Sequence, residues 1–196
     1  MDVRVIFPGI VGYSNLTDNI SRVSLDIEKG VSDGLIQWRE AITARDGDLE
    51  NIKVNHEKRR GLNFGLHPSL KEGPTSEIFK VSDFLYETSK PAVDDYKSRY
   101  YSYDSVDYFG WVVLKYQVDD FFTGHTDASH DFPRQMSLVY YINDNYEGGE
   151  LEFPHLNVTI KPLAGELIIF PSNYLFLHEA KKVTAGVKYS AINFIN

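Results

Sequence analysis

The chain lacks cysteine altogether, and it lacks any long apolar segment. Without cysteine there can be no disulfide framework, no zinc site with thiolate ligands and no thiol nucleophile. No apolar run approaches the roughly 20 residues that a membrane-spanning helix needs. The N-terminus, MDVRVIFPGI, has no charged segment followed by a long apolar stretch, as a signal peptide would have. We therefore expect a soluble cytoplasmic protein without a membrane partner.

Positive charge is also scarce. The formal net charge is −8, and the single basic cluster, HEKRR at residues 56–60, is typical of a solvated loop. Affinity for nucleic acid comes largely from neutralising phosphates, which an acidic chain without a basic track does poorly. We therefore expect no nucleic-acid partner.

The first half of the chain has the features of helices and loops. A length of 196 residues fits one domain, and a hydrophobic content of 42% suffices for its core. Residues 16–29 and 75–89 carry apolar residues at helical spacing, and we expect these helices to stop at Gly30 and before Pro91. Residues 43–74 are polar and rich in turn-forming residues, which is typical of a mobile or functional loop.

The second half changes to short segments rich in β-branched and aromatic residues, separated by Gly, Asn, Asp and Pro. The predicted strands are residues 111–118, 136–143, 149–153, 157–161, 165–170 and 187–195. Several short strands with turns between them indicate a sandwich or jelly roll. We predict a mainly β fold in one domain, 1–196. Residues 1–105 would supply supporting helices and loops, and residues 106–196 the jelly-roll core.

Three residues, called the triad below, suggest a metal site: His125 and Asp127 in GHTD, and His178 in LFLHEA. In a strand, residues two apart point to the same face, so His125 and Asp127 can converge on one ion. A sandwich could bring the segment of His178 beside them. Two imidazoles and one carboxylate on one face of Fe(II) leave positions open for a co-substrate and O₂. Zinc could bind the same ligands together with water, so the ligand types leave both metals open.

Lys188 stands ten positions after His178, on the last predicted strand and after a turn at Gly186. A buried cation one strand away from an open-faced metal suits a dicarboxylate co-substrate. The α-keto acid end of such a molecule chelates the metal, and its distal carboxylate needs a charge partner. A charge-assisted pair of this kind is strong in a site that excludes water. For an isolated lysine, an exposed position on a strand would be the ordinary interpretation.

At these residues the chain resembles the Fe(II)/2-oxoglutarate-dependent dioxygenases, and within them the prolyl 4-hydroxylase branch. The similarity covers roughly residues 110–196, in the segments LKYQVDDFFTGHTD, RQMSLVYYINDNYEGGELEFP and IKPLAGELIIFPSNYLFLHEAKKVTAGVKYS. The resemblance implies a double-stranded β-helix (jelly-roll) core. It also implies Fe(II), 2-oxoglutarate and O₂ as cofactor and co-substrates, with ascorbate as a further binding partner.

The resemblance also assigns roles to side chains, residue by residue. The triad would bind iron. Lys188 and Tyr141 would hold the distal (C5) carboxylate of 2-oxoglutarate, and Tyr116 would lie near its metal-bound end. A lysine at this spacing is typical of the collagen-type and the algal and viral hydroxylases, whereas the hypoxia-sensing type has arginine there. Core packing is the alternative role for both tyrosines.

The chain departs from the family in two respects. Phe122 stands three residues before the His-x-Asp motif, where many relatives have tyrosine, so any hydrogen bond from that hydroxyl is absent. The first hundred residues match only generally, and in this family they carry the helices and loops that cover the substrate. Arg45, Arg59 and Arg60, together with the 43–74 loop, are therefore candidate lid elements.

The predicted function is hydroxylation of prolyl residues in a protein or peptide, coupled to decarboxylation of 2-oxoglutarate to succinate and CO₂. Three alternatives stay open. The enzyme could hydroxylate a free amino acid or another side chain. It could be a zinc hydrolase, which leaves Lys188 without a role. The chain could also be a jelly-roll binding module that has lost its iron, an interpretation that the intact triad disfavours.

Overall fold

The computed structural model of the protein describes residues 1–45, 48–66, 76–100, 110–130 and 132–196. Within these residues it has two α-helices, α1 (Ile20–Ser32) and α2 (Ser76–Tyr100). Its strands are β1 (Asp2–Phe7), β2 (Ile10–Ser14), β3 (Arg39–Glu40), β4 (Thr43–Arg45), β5 (Asp48–Lys53), β6 (Arg59–Arg60), β7 (Leu62–Leu66), β8 (Trp111–Tyr116), β9 (Phe121–His125), β10 (Met136–Tyr141), β11 (Tyr146–Gly148), β12 (Leu151–Phe153), β13 (Val158–Ile160), β14 (Leu167–Pro171), β15 (His178–Ala180), β16 (Val183–Gly186) and β17 (Lys188–Ile195). The six strands predicted for the second half correspond to β8, β10, β12, β13, β14 and β17.

Two antiparallel sheets form the jelly roll. The larger sheet has eight strands in the order β1-β2-β14-β10-β17-β8-β7-β3, and the smaller has five in the order β13-β12-β15-β9-β6. Side chains between the sheets form a buried apolar cluster, with Tyr141 and Phe170 from the larger sheet and Leu151 and Phe153 from the smaller. This is the double-stranded β-helix expected from the sequence.

The two helices pack on the other face of the larger sheet. A second apolar cluster joins Val23 and Ile27 of α1 and Leu85 of α2 to Trp111 and Tyr140 of the sheet. Because both faces of the sheet are covered, its central strands are buried on both sides. The helices therefore support the sheet from behind, and the space between the two sheets is left for a site.

The first half of the chain contributes more strand than the sequence predicted. β1, β2, β3 and β7 all lie in the larger sheet, and β2 pairs with β14. In neither β1 nor β2 do buried and exposed residues alternate. β1 is an edge strand whose Val3 and Val5 are exposed, and β2 is buried from Ile10 to Tyr13. The helix-and-loop interpretation of this half was therefore incomplete, while the division into 1–105 and 106–196 stays a prediction.

The predicted stop of the first helix at Gly30 is wrong. Gly30 lies inside α1 and is buried, and a Cβ atom there would come within 2.6 Å of the Ile36 side chain. The glycine therefore permits close packing of the chain that returns past the helix. The left-handed residue after the helix is Gly34, whose φ is +71°.

The predicted stop of the second helix before Pro91 is also wrong, since α2 continues to Tyr100. Proline inside a helix removes one backbone hydrogen bond. Packing beyond the proline outweighs that loss, because Ala92 and Val93 are buried and the Tyr96 hydroxyl donates to the Gly9 carbonyl at 2.7 Å. Neither this helix nor any other among the described residues has the length and apolar character needed to span a membrane.

Candidate metal centre and carboxylate pocket

The triad meets at the end of two paired strands. β15 and β9 run antiparallel with His178 opposite His125, and the two ring centroids are 4.4 Å apart. The Asp127 carboxylate lies 3.5 Å from Nε2 of His125 and 3.5 Å from Nε2 of His178. One ligand atom from each residue lies within 4.8 Å of the other two. The structure thus brings together three residues that were predicted from two distant segments of the chain.

Asp127 is positioned by a turn and not by the strand pleating inferred from the sequence, because β9 ends before it. The Ala128 N–H donates to the Ser172 carbonyl at 3.0 Å, and Arg134 Nη1 donates to the Asp127 carbonyl at 3.2 Å. The Ser137 hydroxyl donates to Asp127 Oδ2 at 2.6 Å. Nothing in the sequence marks Arg134 or Ser137 as partners of Asp127, because these contacts depend on how the chain folds back between β9 and β10.

Both imidazoles present the same nitrogen to the centre. Nδ1 of His125 lies 2.9 Å from the Thr123 carbonyl, and Nδ1 of His178 lies 3.0 Å from the Phe176 carbonyl. A carbonyl only accepts hydrogen bonds, so each Nδ1 must carry the proton and each Nε2 keeps its lone pair. Partners of this kind fix the ring orientation of histidine ligands in metal sites.

Burial determines the charges of the centre. The His178 side chain is 7% exposed, and burial lowers its pKa to about 4, with a partial offset from the Asp127 carboxylate. Burial by itself would raise the pKa of Asp127, but the two histidines and the hydrogen bond from Ser137 outweigh burial and lower that pKa. At neutral pH the centre therefore offers a charged carboxylate beside an unprotonated His178, as metal ligation requires.

This donor set fits a divalent metal ion. Two Nε2 lone pairs and a carboxylate face one another, while both Nδ1 atoms already have protein partners. Imidazole and carboxylate suit Fe(II), and three ligands on one side leave octahedral positions open. Zinc accepts the same donors, so the triad alone does not select the metal.

Two stacked groups cover His125. The Phe122 ring lies on the imidazole with centroids 3.6 Å apart and an interplanar angle of 16°. The Arg59 guanidinium lies 4.4 Å from the centre of the Phe122 ring, and β6 pairs with β9 so that Arg59 is opposite Phe122. Phe122 therefore contacts His125 through its ring, and Arg59 lies beyond Phe122 in the same stack.

The second predicted site residue, Lys188, lies in a pocket of aromatic rings. It is 3% exposed, and its Nζ donates to the Gly149 carbonyl at 2.6 Å. The ring centroids of Tyr141, Tyr116 and Tyr146 are 5.2, 5.5 and 5.8 Å from that nitrogen. Among the residues that the structure describes, Lys188 has no ion-pair partner. The exposed-lysine interpretation is therefore wrong, and the pocket holds a cation without a carboxylate.

Burial also lowers the pKa of Lys188, to about 7, and the nearby Lys161 ammonium lowers it further against a weaker opposing effect of Glu150. A bound carboxylate would compensate for this buried charge. Burial raises the pKa of Tyr141 well above its ordinary value, and the Tyr146 and Tyr116 hydroxyls raise it further. Burial likewise raises the pKa of Tyr146, so Tyr141 and Tyr146 stay protonated and their hydroxyls can donate hydrogen bonds.

The structure brings together three predicted residues around one pocket, and it adds a fourth that was not predicted. Tyr141 lies beside Lys188, and Tyr116, which was expected near the metal-bound end of 2-oxoglutarate, also lies beside Lys188. The contact of all three residues with 2-oxoglutarate stays a prediction. Tyr146 was missed, because a tyrosine beside the EGG turn has no signal in the sequence that separates it from a core residue.

The predicted lid is only partly described. The side chain of Arg45 and residues 46–47 and 67–74 of the 43–74 loop lie outside the described residues. Arg59 and Arg60 both line a cavity of about 310 Å³ that also receives Asp120 from the turn before β9. The lid role of these arginines stays a prediction.

Comparison with families of known proteins gives a match over residues 111–196, to the 2OG-Fe(II) oxygenase superfamily. The matched segment contains the triad, Lys188 and all three pocket tyrosines. No curated protein matches the chain by sequence.

Solved structures share the fold at low sequence identity. A viral collagen prolyl hydroxylase from Paramecium bursaria Chlorella virus-1, in complex with 2-oxoglutarate, is 20% identical with a TM-score of 0.67, and the match covers 95% of each chain. A prolyl hydroxylase from Trichoplax adhaerens, bound to a peptide of a hypoxia-inducible factor, is 20% identical with a TM-score of 0.71 over 95% of this chain and 83% of that one. A Pseudomonas putida prolyl-4-hydroxylase is 16% identical with a TM-score of 0.70, over 96% and 92% of the two chains. Over residues 111–196 the triad, the jelly roll and the family match therefore agree, and this segment is similar to the 2OG-Fe(II) oxygenase superfamily.

Proposed function

We propose that the protein is a 2-oxoglutarate- and Fe(II)-dependent dioxygenase that hydroxylates prolyl residues in a protein or peptide. The observation that carries the proposal is the combination of an open-faced triad with a buried lysine that has no carboxylate partner among the described residues. Prolyl substrates are supported by the similarity to prolyl hydroxylases over at least 95% of this chain, including its first half.

In this proposal each end of the site has one task. The triad holds Fe(II) and leaves part of its coordination sphere open. Lys188, with Tyr141, holds the distal carboxylate of 2-oxoglutarate, so that the other end of that molecule is turned toward the triad. Tyr116 lies opposite Lys188 in the register of β8 and β17, and it lines the same pocket.

The metal and the co-substrate supply the oxidising chemistry when both are bound, and one O₂ is consumed as a C–H group becomes C–OH and 2-oxoglutarate becomes succinate and CO₂. The protein contributes binding, orientation and exclusion of water. Phe170 and Phe153 lie 4.7 and 5.8 Å from the His178 ring, so one side of the centre is dry. Ascorbate as a binding partner stays a prediction.

The test is an anaerobic reconstitution with Fe(II), followed by addition of 2-oxoglutarate, O₂ and proline-containing peptides. We expect succinate in step with a gain of one oxygen atom in the peptide mass. Matched peptides with alanine in place of proline should give neither product, and His178→Ala should abolish both.

The alternatives give different results in the same experiment. Turnover with free amino acids but with no proline peptide would contradict the prolyl proposal and leave the oxygenase intact. Hydrolytic activity with Zn(II), without O₂ or 2-oxoglutarate, would identify a zinc hydrolase. Binding of 2-oxoglutarate without turnover on any substrate would favour a non-catalytic binding module.

A further inference from the structure

Neither the triad nor the proposed contacts of Lys188 and Tyr141 with 2-oxoglutarate use the hydroxyl of Tyr146. Tyr146 is 6% exposed, and its hydroxyl oxygen is buried without a hydrogen-bond partner among the described residues. A buried polar group that lacks a partner is costly, and native proteins retain few of them. Among the described residues, this hydroxyl has no hydrogen-bond partner and the neighbouring Lys188 has no ion-pair partner. Together they point to a ligand that binds both.

The position of Tyr146 in the pocket wall is closely defined. It opens β11, where it pairs with Gly186 of β16. A Cβ atom on Gly149 would come within 3.1 Å of the Tyr146 ring and 3.2 Å of the Lys188 side chain, and φ of Gly149 is +64°. The absence of a side chain at Gly149 therefore leaves the ring of Tyr146 and the stem of Lys188 side by side.

Lys161 does not satisfy the hydroxyl. Its Nζ lies 4.3 Å from the centre of the Tyr146 ring and donates to the backbone carbonyls of Tyr146, at 3.2 Å, and Gly148, at 2.6 Å. Two acidic groups act on Tyr146, Asp144 and Glu150, and Glu150 pairs with Lys161 at 3.9 Å. These contacts hold the tyrosine in place and leave its hydroxyl free to bond elsewhere.

The donors of the pocket match a carboxylate. An ammonium has three donors, of which Lys188 uses one on the Gly149 carbonyl. Each of the three tyrosines adds one hydroxyl donor. A carboxylate accepts at two oxygens through about four lone-pair positions, which a single lysine and one tyrosine leave partly unused.

We propose that the Tyr146 hydroxyl donates a hydrogen bond to the distal carboxylate of the co-substrate, and that Tyr146 is a specificity-determining residue for an oxo acid with a second carboxylate. The inference rests on the 2-oxoglutarate part of the proposed function and is independent of the prolyl part.

The test is Tyr146→Phe, which keeps the ring and removes the hydroxyl. The matched control is Tyr140→Phe. Tyr140 is the neighbouring strand position to Tyr141, is also buried, and packs with the helices on the opposite face of the sheet. Binding is measured by anaerobic calorimetry on the Fe(II)-loaded protein with two probes. One is 2-oxoglutarate, and the other is pyruvate, which has the same oxo acid end and no distal carboxylate.

We expect Tyr146→Phe to weaken 2-oxoglutarate binding by about tenfold or more, the range for a hydrogen bond to a charged group, and to leave pyruvate binding unchanged. In turnover the KM for 2-oxoglutarate should rise by a similar factor while kcat stays the same. Tyr140→Phe should change neither affinity. Equal 2-oxoglutarate affinity in Tyr146→Phe and the unaltered protein would overturn the inference, as would an equal loss for both probes.

Thermal unfolding without ligand separates a binding role from a structural one. Loss of an unpaired hydroxyl should leave the midpoint of Tyr146→Phe equal to or above that of the unaltered protein, and a lower midpoint would contradict the unpaired state. If the unaltered protein itself does not bind 2-oxoglutarate, the co-substrate proposal fails together with this inference. If that protein binds 2-oxoglutarate but hydroxylates no proline, only the prolyl proposal fails.

Discussion

The metal end and the carboxylate end of the site are built in opposite ways. The metal end lies where β9 ends and β15 begins in the smaller sheet, and in the segment that follows β9. Polar groups there hold one another by hydrogen bonds, and His125 is 22% exposed. The carboxylate end lies on β17, between β10 and β8 of the larger sheet, where Lys188 is 3% exposed among aromatic rings.

The metal end is preorganised for a ligand, whereas the carboxylate end stores charge, in the sense that it keeps a buried cation without an ion-pair partner among the described residues. At the metal end, donor atoms already face one another and carry the protonation states that a metal needs. At the carboxylate end, the protein holds a desolvated cation that only a ligand can neutralise. Substitutions at the two ends should therefore differ in their effects on stability as well as on binding.

The largest effect is expected at the metal end. His178→Ala removes one of three ligands and should weaken Fe(II) binding by more than about 100-fold, beyond the range for outer-shell partners. Equilibrium dialysis under anaerobic conditions measures it. His155→Ala, at an exposed position in a turn, is the control and should bind iron normally. Retained iron binding in His178→Ala would remove His178 from the ligand set.

At the carboxylate end, Lys188→Met should weaken 2-oxoglutarate binding by roughly 30-fold or more, because a buried charge partner is lost. Iron binding should stay unchanged. The unliganded variant should unfold at a higher temperature than the unaltered protein, since a desolvated cation has been removed. Lys182→Met, at an exposed lysine, is the matched control. A destabilised Lys188→Met would contradict the idea of a stored charge.

The two ends should also differ in their response to pH. The pKa of Lys188 is lowered from its ordinary 10.5 to about 7, so the cation is lost from the unliganded protein as pH rises through 7. Because the carboxylate needs the cation, affinity for 2-oxoglutarate should fall about tenfold between pH 6 and 8, with proton uptake on binding. Lys161 and Glu150 are the other charged groups that act on Lys188. Calorimetry in two buffers of different ionisation enthalpy measures the uptake.

Lys188→Arg is the control for this pH effect, because a guanidinium stays charged and its affinity for 2-oxoglutarate should be flat over the same interval. In the unaltered protein without ligand, the unfolded chain binds the extra proton between pH 7 and 10.5. This group alone therefore makes the folded state more stable as pH rises through that interval. A flat affinity in the unaltered protein would show that Lys188 is charged throughout.

The smallest effect is expected at the stack beside His125. Phe122→Ala removes a ring that restrains a ligand without touching the metal, so iron affinity should fall by about two- to tenfold, the range for an aromatic pair. Phe121→Ala, one residue earlier on β9, is the control. A loss as large as that of His178→Ala would mean that Phe122 does more than orient the imidazole.

The sequence predicted the metal end better than the pocket around Lys188. His125 and Asp127 form a local motif, and their ligand atoms come together although Asp127 lies beyond the end of β9. Lys188 could be predicted from its position ten residues after His178. Tyr146 could not be predicted, because the role proposed for it depends on an unpaired hydroxyl, and pairing is a property of the folded chain.

The fold shows the same limit. Six of the ten strands described in the second half follow from their composition, since turn residues separate them, whereas β9, β11, β15 and β16 were not predicted. Gly30 and Pro91 carry the usual signals of helix ends, yet tertiary packing against Ile36 and around Val93 overrides them. β2 was not predicted because it is buried from Ile10 to Tyr13, so polar and apolar residues do not alternate along it.

The β1–β2 hairpin has a consequence for association between chains. β14, with the sequence LIIFP, is buried and apolar, and as an edge strand it would be a template for pairing with another molecule. The hairpin covers that edge and moves the free one to β1, where Asp2 and Arg4 are charged and exposed. The opposite edge, β3, is only two residues long, and both are charged. The N-terminal hairpin thus leaves β14 without a free edge for pairing with another molecule.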